Sequence, residues 1–237
     1  MGVQLHELDE VEVQAIRRHA RLLSELNCSH PVILDVGANS GAVSKAYLDK
    51  LANAIIFAFE PNPELFESLS SRLGDRVTIC PVALGDSNEN SDLNVFNDDT
   101  VSSLFKVDPK LSAISKNFDL QQTVSVQVRT LDSWLLDHPE VQEVNILKIA
   151  TQGFDLRVLH GARDLLRWKP PQLIQIEMTV ATAYQGQANF PDIWNFLTEF
   201  GYHLYDFDRL IHTKNGNLYW GDALFISQSA WDKLELV

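Results

Sequence analysis

Cysteine is almost missing from this chain: Cys28 and Cys80 are the only two in 237 residues. Thiols so far apart build neither a disulfide framework nor a metal cluster, and both are expected to be small buried side chains. Basic charge is scarce, with 19 Lys and Arg against 32 Asp and Glu and a formal charge of −13. Such a field repels a phosphate backbone, and no stretch interleaves basic with aromatic residues, so nucleic acid is not expected as a partner. Long apolar runs are absent as well. The longest, Ala54 to Phe59, falls far short of the roughly 20 residues that span a bilayer. The N-terminus has no basic segment ahead of an apolar core, so neither a membrane nor a secretory address is expected. A soluble, cytoplasmic protein is the expectation, and oligomeric state is not legible.

What is present is ordinary globular composition, 45% hydrophobic and 22% charged, enough for a sizeable core. No repeat, low-complexity tract or linker interrupts it. One domain is expected, with a helical extension over 1–30, a core over 31–180 and a C-terminal part over 181–237. Apolar periodicity predicts a helix over 7–27 that covers a sheet face or a cleft. A strand follows over 31–36, a helix over 44–51, a strand over 54–59, a helix over 64–73 and a strand over 77–82. These strands are continuously apolar rather than alternating, the mark of a parallel sheet covered on both faces. The stretch 85–122 is polar and is expected to hold a short strand (93–96) and a loop reaching over the site. Further strands are expected over 124–128, 144–149, 173–178, 202–207 and 223–227, and helices over 154–166 and 193–200.

The stretch that carries chemistry is Leu34-Asp-Val-Gly-Ala-Asn-Ser-Gly41. Gly37 and Gly41 stand at a strand-to-helix turn, where glycine lets the backbone approach a ligand. A dinucleotide site wants G-x-G-x-x-G; here Asn39 replaces the middle glycine and Asp35 precedes the first. A carboxylate there suits a cationic ligand with an amino group and hydroxyls better than a pyrophosphate, which argues against a nicotinamide-dependent oxidoreductase. Glu60 ends the second strand, where a carboxylate can accept from both ribose hydroxyls. Ala83 and Leu84 follow the third strand and could line a base.

These residues resemble a known family, the FkbM-type methyltransferases, which are class I S-adenosylmethionine (SAM) enzymes that O-methylate sugars, polyketides and related natural products. The resemblance runs in order through Asp35-Val-Gly-Ala-Asn-Ser-Gly41, Ala58-Phe-Glu-Pro-Asn-Pro63, Ala83-Leu-Gly-Asp86, Ser102-Ser-Leu104, Thr130-Leu-Asp132, Leu147-Lys-Ile149, Thr151-Gln-Gly153, Val158-Leu-His-Gly-Ala162 and Ile174-Gln-Ile-Glu177, about residues 31–180. It implies a doubly wound, Rossmann-like, seven-stranded and mostly parallel α/β sheet with an N-terminal helix. It implies SAM as cofactor, with Asp35, Gly37, Ala38, Asn39, Gly41, Ser44, Glu60, Pro61, Ala83, Leu84, Ser102 and Ser103 as the binding set, and a small sugar or natural product as acceptor. One position departs. The family reads Lys-Ile-Asp after its fourth strand, whereas this chain has Lys148-Ile149-Ala150. Either the chemistry does not need that acid, another residue replaces it, or the chain is an impaired, non-catalytic SAM-binding domain.

A hydroxyl acceptor must lose a proton, and a positioned base contributes about 10²–10⁴-fold. The candidates near strand ends are Lys148, Glu177 and His160, although Lys148 could simply pair with Glu177 across adjacent strands. His203 and His212 have nothing to select them. Ala150 removes a natural metal ligand, so no metal is expected. Nine aromatics in the C-terminal part (Tyr184, Phe190, Trp194, Phe196, Tyr202, Tyr205, Phe207, Tyr219, Trp220) are acceptor-pocket candidates, with at least six of them expected to pack the core.

Overall fold

The computed structural model describes residues 8–112, 115–180 and 182–234. Helix α1 (Glu10–Glu25) begins at a capping box: Asp9 accepts from the Glu12 amide, and the Glu12 carboxylate accepts from the Asp9 amide. That reciprocal pair satisfies two end donors and sets the start of the helix. The helix is therefore shorter than the predicted 7–27, and residue 7 lies outside the described residues. Strand β1 (Val32–Val36) leads to α2 (Ala42–Lys50), β2 (Ile55–Phe59), α3 (Pro63–Leu73) and β3 (Val77–Cys80). Short β4 (Ala83–Leu84) precedes β5 (Glu89–Phe96), α4 (Pro109–Ser112) and β6 (Leu120–Arg129). Then come α5 (Leu131–Asp137), β7 (Ile146–Ile149), α6 (Asp155–His160), α7 (Arg163–Trp168), β8 (Leu173–Thr179), α8 (Phe190–Glu199), β9 (Tyr202–His212), β10 (Leu218–Ser227) and α9 (Gln228–Lys233).

Seven strands form one sheet in the order β3-β2-β1-β7-β8-β10-β9. The first five are parallel, and β10 runs antiparallel to both its neighbours. The chain reverses its direction of travel across the sheet between β1 and β7, and open α/β sheets bind ligands at that switch point, outside the carboxyl ends of the strands.

Two expectations need correcting. The short strand over 93–96 is the inner half of β5, which pairs with β6 along its length in a second, three-stranded sheet, β4-β6-β5. Its outer half is polar and mostly exposed, so apolarity could not reveal it. The helix expected over 154–166 is two, α6 and α7, interrupted at Gly161. A Cβ there would lie 1.9 Å from the Gly85 carbonyl oxygen, so the chain must pass backbone against backbone.

The pleat of the large sheet sorts its side chains. Leu34, Val36, Leu147, Ile149, Ile174 and Ile176 face one core with α5 to α8. Ile33, Ile146, Leu173, Leu224 and Ile226 face the other, packed with α1, α2, α3 and α9. On this second face the strands change character along their length. In phase with those residues, because successive side chains alternate, stand Asp35, Lys148, Gln175, Glu177 and Asp222. The apolar end of the face is the core, and the polar end is the floor of a cleft.

Candidate active site

The turn after β1 is held from three directions. Gly37 has φ +78, and a Cβ on it would lie 2.1 Å from the Ala150 carbonyl oxygen, so only glycine fits. The amides of Gly37 and Ala38 donate to the Phe59 carbonyl at the end of β2. Beneath the turn, Lys148 donates from Nζ to the Gly37 carbonyl at 3.1 Å and stands 2.9 Å from Asp35 Oδ1. Asp35 is fully buried and accepts from Ser44 Oγ at 2.7 Å through its other oxygen. No aligned hydrogen bond reaches Oδ1, so its link to Lys148 is coulombic. The bond alternative to this pair, Lys148 with Glu177, is not what forms: Lys148 lies beside Gln175 in register and reaches towards β1.

Glu60 stands just past β2 and accepts from the amides of Asn39 and Asn62, each at 2.8 Å. Burial pushes its carboxyl up to about 7, against the pull of those two amides. It opens on a cavity of about 80 Å³ that Pro61, Ala83, Leu84, Ser102, Ser103 and Phe154 also line. The loop expected to reach over the site does so here. Ser103 Oγ donates to the Gln152 carbonyl at 2.7 Å, and Tyr184 Oη donates to the Val101 carbonyl at 2.7 Å, which staples 101–103 across the cleft. Asp99, beside Asn39 Nδ2 at 3.2 Å, faces the same cavity.

A second cavity, of about 300 Å³, lies on the α1 side of the sheet. Gly37, Asn39, Thr100, Ala150 and Gln152 line both, so the two are lobes of one cleft, and Ala150 sits at their junction. The floor of the larger lobe is Lys148, Gln175, Glu177, Asp222 and Arg209, and Leu8, just ahead of α1, covers it together with Glu12 and Ile16 of α1. Arg209 is held by Asp9 at 2.8 Å and Glu12 at 3.0 Å and lies over the Trp220 ring. Glu177 accepts from Gln152 Nε2 at 2.7 Å. Desolvation, then the nearby Asp155 and Asp222, push its carboxyl well above the usual range. Asp222 is the cross-strand partner of Glu177, and burial raises it to about 7 against Lys148 and Arg209. Asp155 pins the 151–153 loop by accepting from the Thr151 and Gly153 amides and the Thr151 hydroxyl.

The predicted site residues thus fall into three groups. Gly37, Ala38, Asn39, Glu60, Pro61, Ala83, Leu84, Ser102, Ser103, Lys148 and Glu177 line the cleft. Asp35 and Ser44 lie beneath it, and Gly41 starts α2 against α3. His160 is elsewhere: it packs edge-on against Phe196 and contacts Arg163, lining neither lobe. It cannot be the base. Of the nine aromatics, Tyr184, Tyr219 and Trp220 line the larger lobe, and the other six do not. Asp99, Gln152, Arg209 and Asp222 were not anticipated. Among the described residues, no group of three or more His, Cys, Asp or Glu is placed to hold a metal ion, and no helix is long and apolar enough to cross a membrane.

Residues 35–204 match the Methyltransferase FkbM domain family, which is more than half of the chain. The protein belongs to that family. As an FkbM-domain methyltransferase it uses S-adenosylmethionine as cofactor. Among curated proteins it is similar to the 2-O-methyltransferase NoeI of Sinorhizobium fredii, 25% identical over 78% of this chain and 79% of the relative. It is also similar to the hexuronic acid methyltransferase AglP of Haloferax volcanii, 29% identical over 62% of this chain. It spans only 56% of AglP's length. Among solved structures the METTL16 MTase domain shares the fold, with a TM-score of 0.54 and 11% identity over 94% of this chain and 70% of that one. The FkbM-domain chain therefore has the class I methyltransferase fold.

The donor set fits the cofactor. The smaller lobe offers a buried carboxylate, Glu60, to a diol, and apolar walls at Leu65, Val82, Leu84, Leu104 and Phe154 to a flat base. At the junction the Gly37 and Ala38 amides are taken by the Phe59 carbonyl and the Asn39 amide by Glu60, so these donors are not free to cradle a pyrophosphate. The larger lobe has acids for a cationic centre, Glu177 and Asp222, and cations at Lys148 and Arg209.

Proposed function

We propose that the protein is a SAM-dependent O-methyltransferase that methylates a hydroxyl of a small sugar-like acceptor in the larger lobe. The observation that carries this reading is the larger lobe itself, acid-floored and aromatic-walled, joined to the nucleoside lobe through Gly37, Asn39 and Ala150. Aromatic faces such as Trp220 and Tyr219 suit the apolar face of a sugar ring, and the polar floor suits its hydroxyls. Two relatives support the same class by name, one methylating a 2-oxygen and the other a hexuronic acid.

When bound, the donor supplies an electrophilic methyl carbon on a sulfonium that leaves as a neutral thioether. Glu60 would hold the ribose hydroxyls, Ala83 and Leu84 would flank the base, and the Gly37–Asn39 backbone would meet the methionine portion. Lys148 serves as a positioning residue, since Asp35 and the Gly37 carbonyl occupy its ammonium. Leu8, ahead of α1, and Ile16 of α1 exclude water from the lobe. Alignment of acceptor and methyl group supplies up to about 7–11 kcal/mol of the acceleration. The absent acid at 150 does not leave the lobe without carboxylates, because Glu177 and Asp222 face the same space; the non-catalytic alternative therefore loses its main support.

Incubation with SAM and a panel of deoxyhexose, uronic acid and phenol acceptors, read by mass spectrometry, tests the proposal. A mass gain of one CH₂ at a sugar hydroxyl is expected. Methylation confined to the phenols, or binding of SAM with no transfer to any acceptor, would overturn it.

A further inference from the structure

We propose that Asp222 of β10 is the group that takes the acceptor hydroxyl's proton, with Glu177 opposite it on β8 as its protonated partner. The inference rests on the O-methyltransferase reading above and names a residue outside the stretch that resembles the family.

The register puts Asp222 directly across from Glu177 on β8 and beside Arg209 on β9. Residues opposite one another in an antiparallel pair have Cβ atoms about 4.5–5.5 Å apart. Both carboxyl groups line the larger lobe, so they meet at its floor. Their commitments differ. Glu177 is engaged by Gln152 Nε2 at 2.7 Å, and Gln152 in turn lies against Tyr184 Oη. Among the described residues the Asp222 side chain has no hydrogen bond and no ion pair, since Lys148 is taken by Asp35 and Arg209 by Asp9 and Glu12. A half-buried carboxylate facing a cavity with no partner in the protein is available to a ligand hydroxyl.

The charges around the pair assign the proton. Asp222 is faced by Glu177 from β8, Lys148 from β7, Arg209 and Asp208 from β9, and Glu12 from α1. Its two cations oppose its burial and keep it near 7. Burial, then Asp155 and Asp222, push Glu177 well above the carboxylate range, and the same two cations oppose that shift. Two facing carboxyls do not both ionise readily, and Glu177, the one its surroundings push well above the carboxylate range, holds the proton while Asp222 carries the charge. In the reaction the acceptor's O–H bond breaks, its proton passes to an Asp222 carboxylate oxygen, and the freed electron pair forms the new bond to carbon. The pair of the broken carbon–sulfur bond stays on sulfur. Charge balances: a sulfonium and a carboxylate become a thioether and a carboxylic acid.

The test compares wild type with Asp222→Asn, Asp222→Ala and Glu177→Gln. S-adenosylhomocysteine affinity, by calorimetry, is expected to stay within about threefold in the Asp222 variants. Methyl transfer is expected to fall about 10²–10⁴-fold, and the acid limb of the kcat/KM profile near pH 7 is expected to vanish. Formate should partly restore Asp222→Ala. In the free enzyme, infrared difference spectra taken in a Glu60→Gln background, which removes the other carboxyl near 7, should show a carboxyl titrating near 7 that is missing once Asp222→Asn is added, a readout that needs no turnover. Glu177→Gln should keep the limb and move it. Asp222→Asn with kcat within threefold of wild type and an unchanged profile overturns the assignment, as does a near-neutral carboxyl that persists when Asp222→Asn is added to Glu60→Gln. A wild type that binds the cofactor product but methylates no hydroxyl overturns the O-methyltransferase reading instead.

Discussion

Replacing Lys148 by methionine isolates what holds the cofactor turn. The ammonium stands 2.9 Å from Asp35 Oδ1, with the two side chains 9% and 0% exposed, so solvent screens the pair little. At an effective dielectric of about 20, a contact of that length is worth roughly 6 kcal/mol of gross attraction. Desolvation of both ions offsets much of that in the intact pair, but removing one partner leaves the other charge buried and costs about 3–5 kcal/mol. For a chain of this size each kcal/mol moves the melting temperature by about 2–4 °C, so Lys148→Met should melt roughly 6–20 °C lower. Asp35→Asn with Lys148→Met should be markedly less damaging than the sum of the single changes, a coupling that a double-mutant cycle reads directly. Because Lys148 also donates to the Gly37 carbonyl, the single variant should lose affinity for S-adenosylhomocysteine as well as stability. Urea unfolding followed by circular dichroism, with calorimetry on the folded variant, measures both. A variant as stable as wild type, with cofactor-product affinity intact and only kcat lost, would falsify the positioning role and return Lys148 to the position of a base.

Two further outcomes follow from the same geometry. The Glu60 carboxyl is raised to about 7 and so contributes stability that is complete below its unfolded range near 4.5 and is lost as pH rises through about 7. Ribose hydroxyls donate to the ionised form, so S-adenosylhomocysteine affinity should climb towards about tenfold per pH unit between pH 5.5 and 7; calorimetry should show that slope flattened in Glu60→Gln, and an unchanged slope there would refute the link. Gly161→Ala places a methyl 1.9 Å from the Gly85 carbonyl oxygen, backbone against backbone, and should cost about 1–3 kcal/mol as overpacking does, measured by thermal unfolding; a neutral result would mean that the α6–α7 break is not forced by this approach.

Local patterns made most of the sheet readable. The buried parallel strands β1, β2 and β7 are near-continuous apolar runs, and runs of that kind survive any topology. What eluded them were features set by pairing. The outer half of β5 is polar and is a strand only because β6 runs beside it. The start of β10 was missed because Gly221 and Asp222 interrupt its apolar residues, although its pairing begins at Leu218; with those residues went Asp222, Tyr219 and Trp220 as neighbours on one strand. Their signal was present in the phase, since Asp222 alternates with Leu224 and Ile226 and so shares their face, but phase selects a face only once the partner strand is known.

The same alternation explains why two acids of similar promise behave differently. Asp35 lies inside β1, where the pleat turns it from the Leu34 and Val36 side towards α2, and Ser44 and Lys148 enclose it there. Glu60 lies one residue beyond β2, its amide still donating to the Cys80 carbonyl of β3 but past the last pair with β1, and its carboxylate folds back over the Asn39 amide in the cleft. The carboxylate within β1 is delivered beneath the turn and has its counter-charge in Lys148, and the one just past β2 is delivered to the smaller lobe. Glu177 and Asp222 lie within strands too, but at the polar end of their face, where the cleft rather than the core covers them. For the two acids beside the glycine turn, position relative to the end of the strand therefore separates the one that braces the turn from the one that faces the cleft.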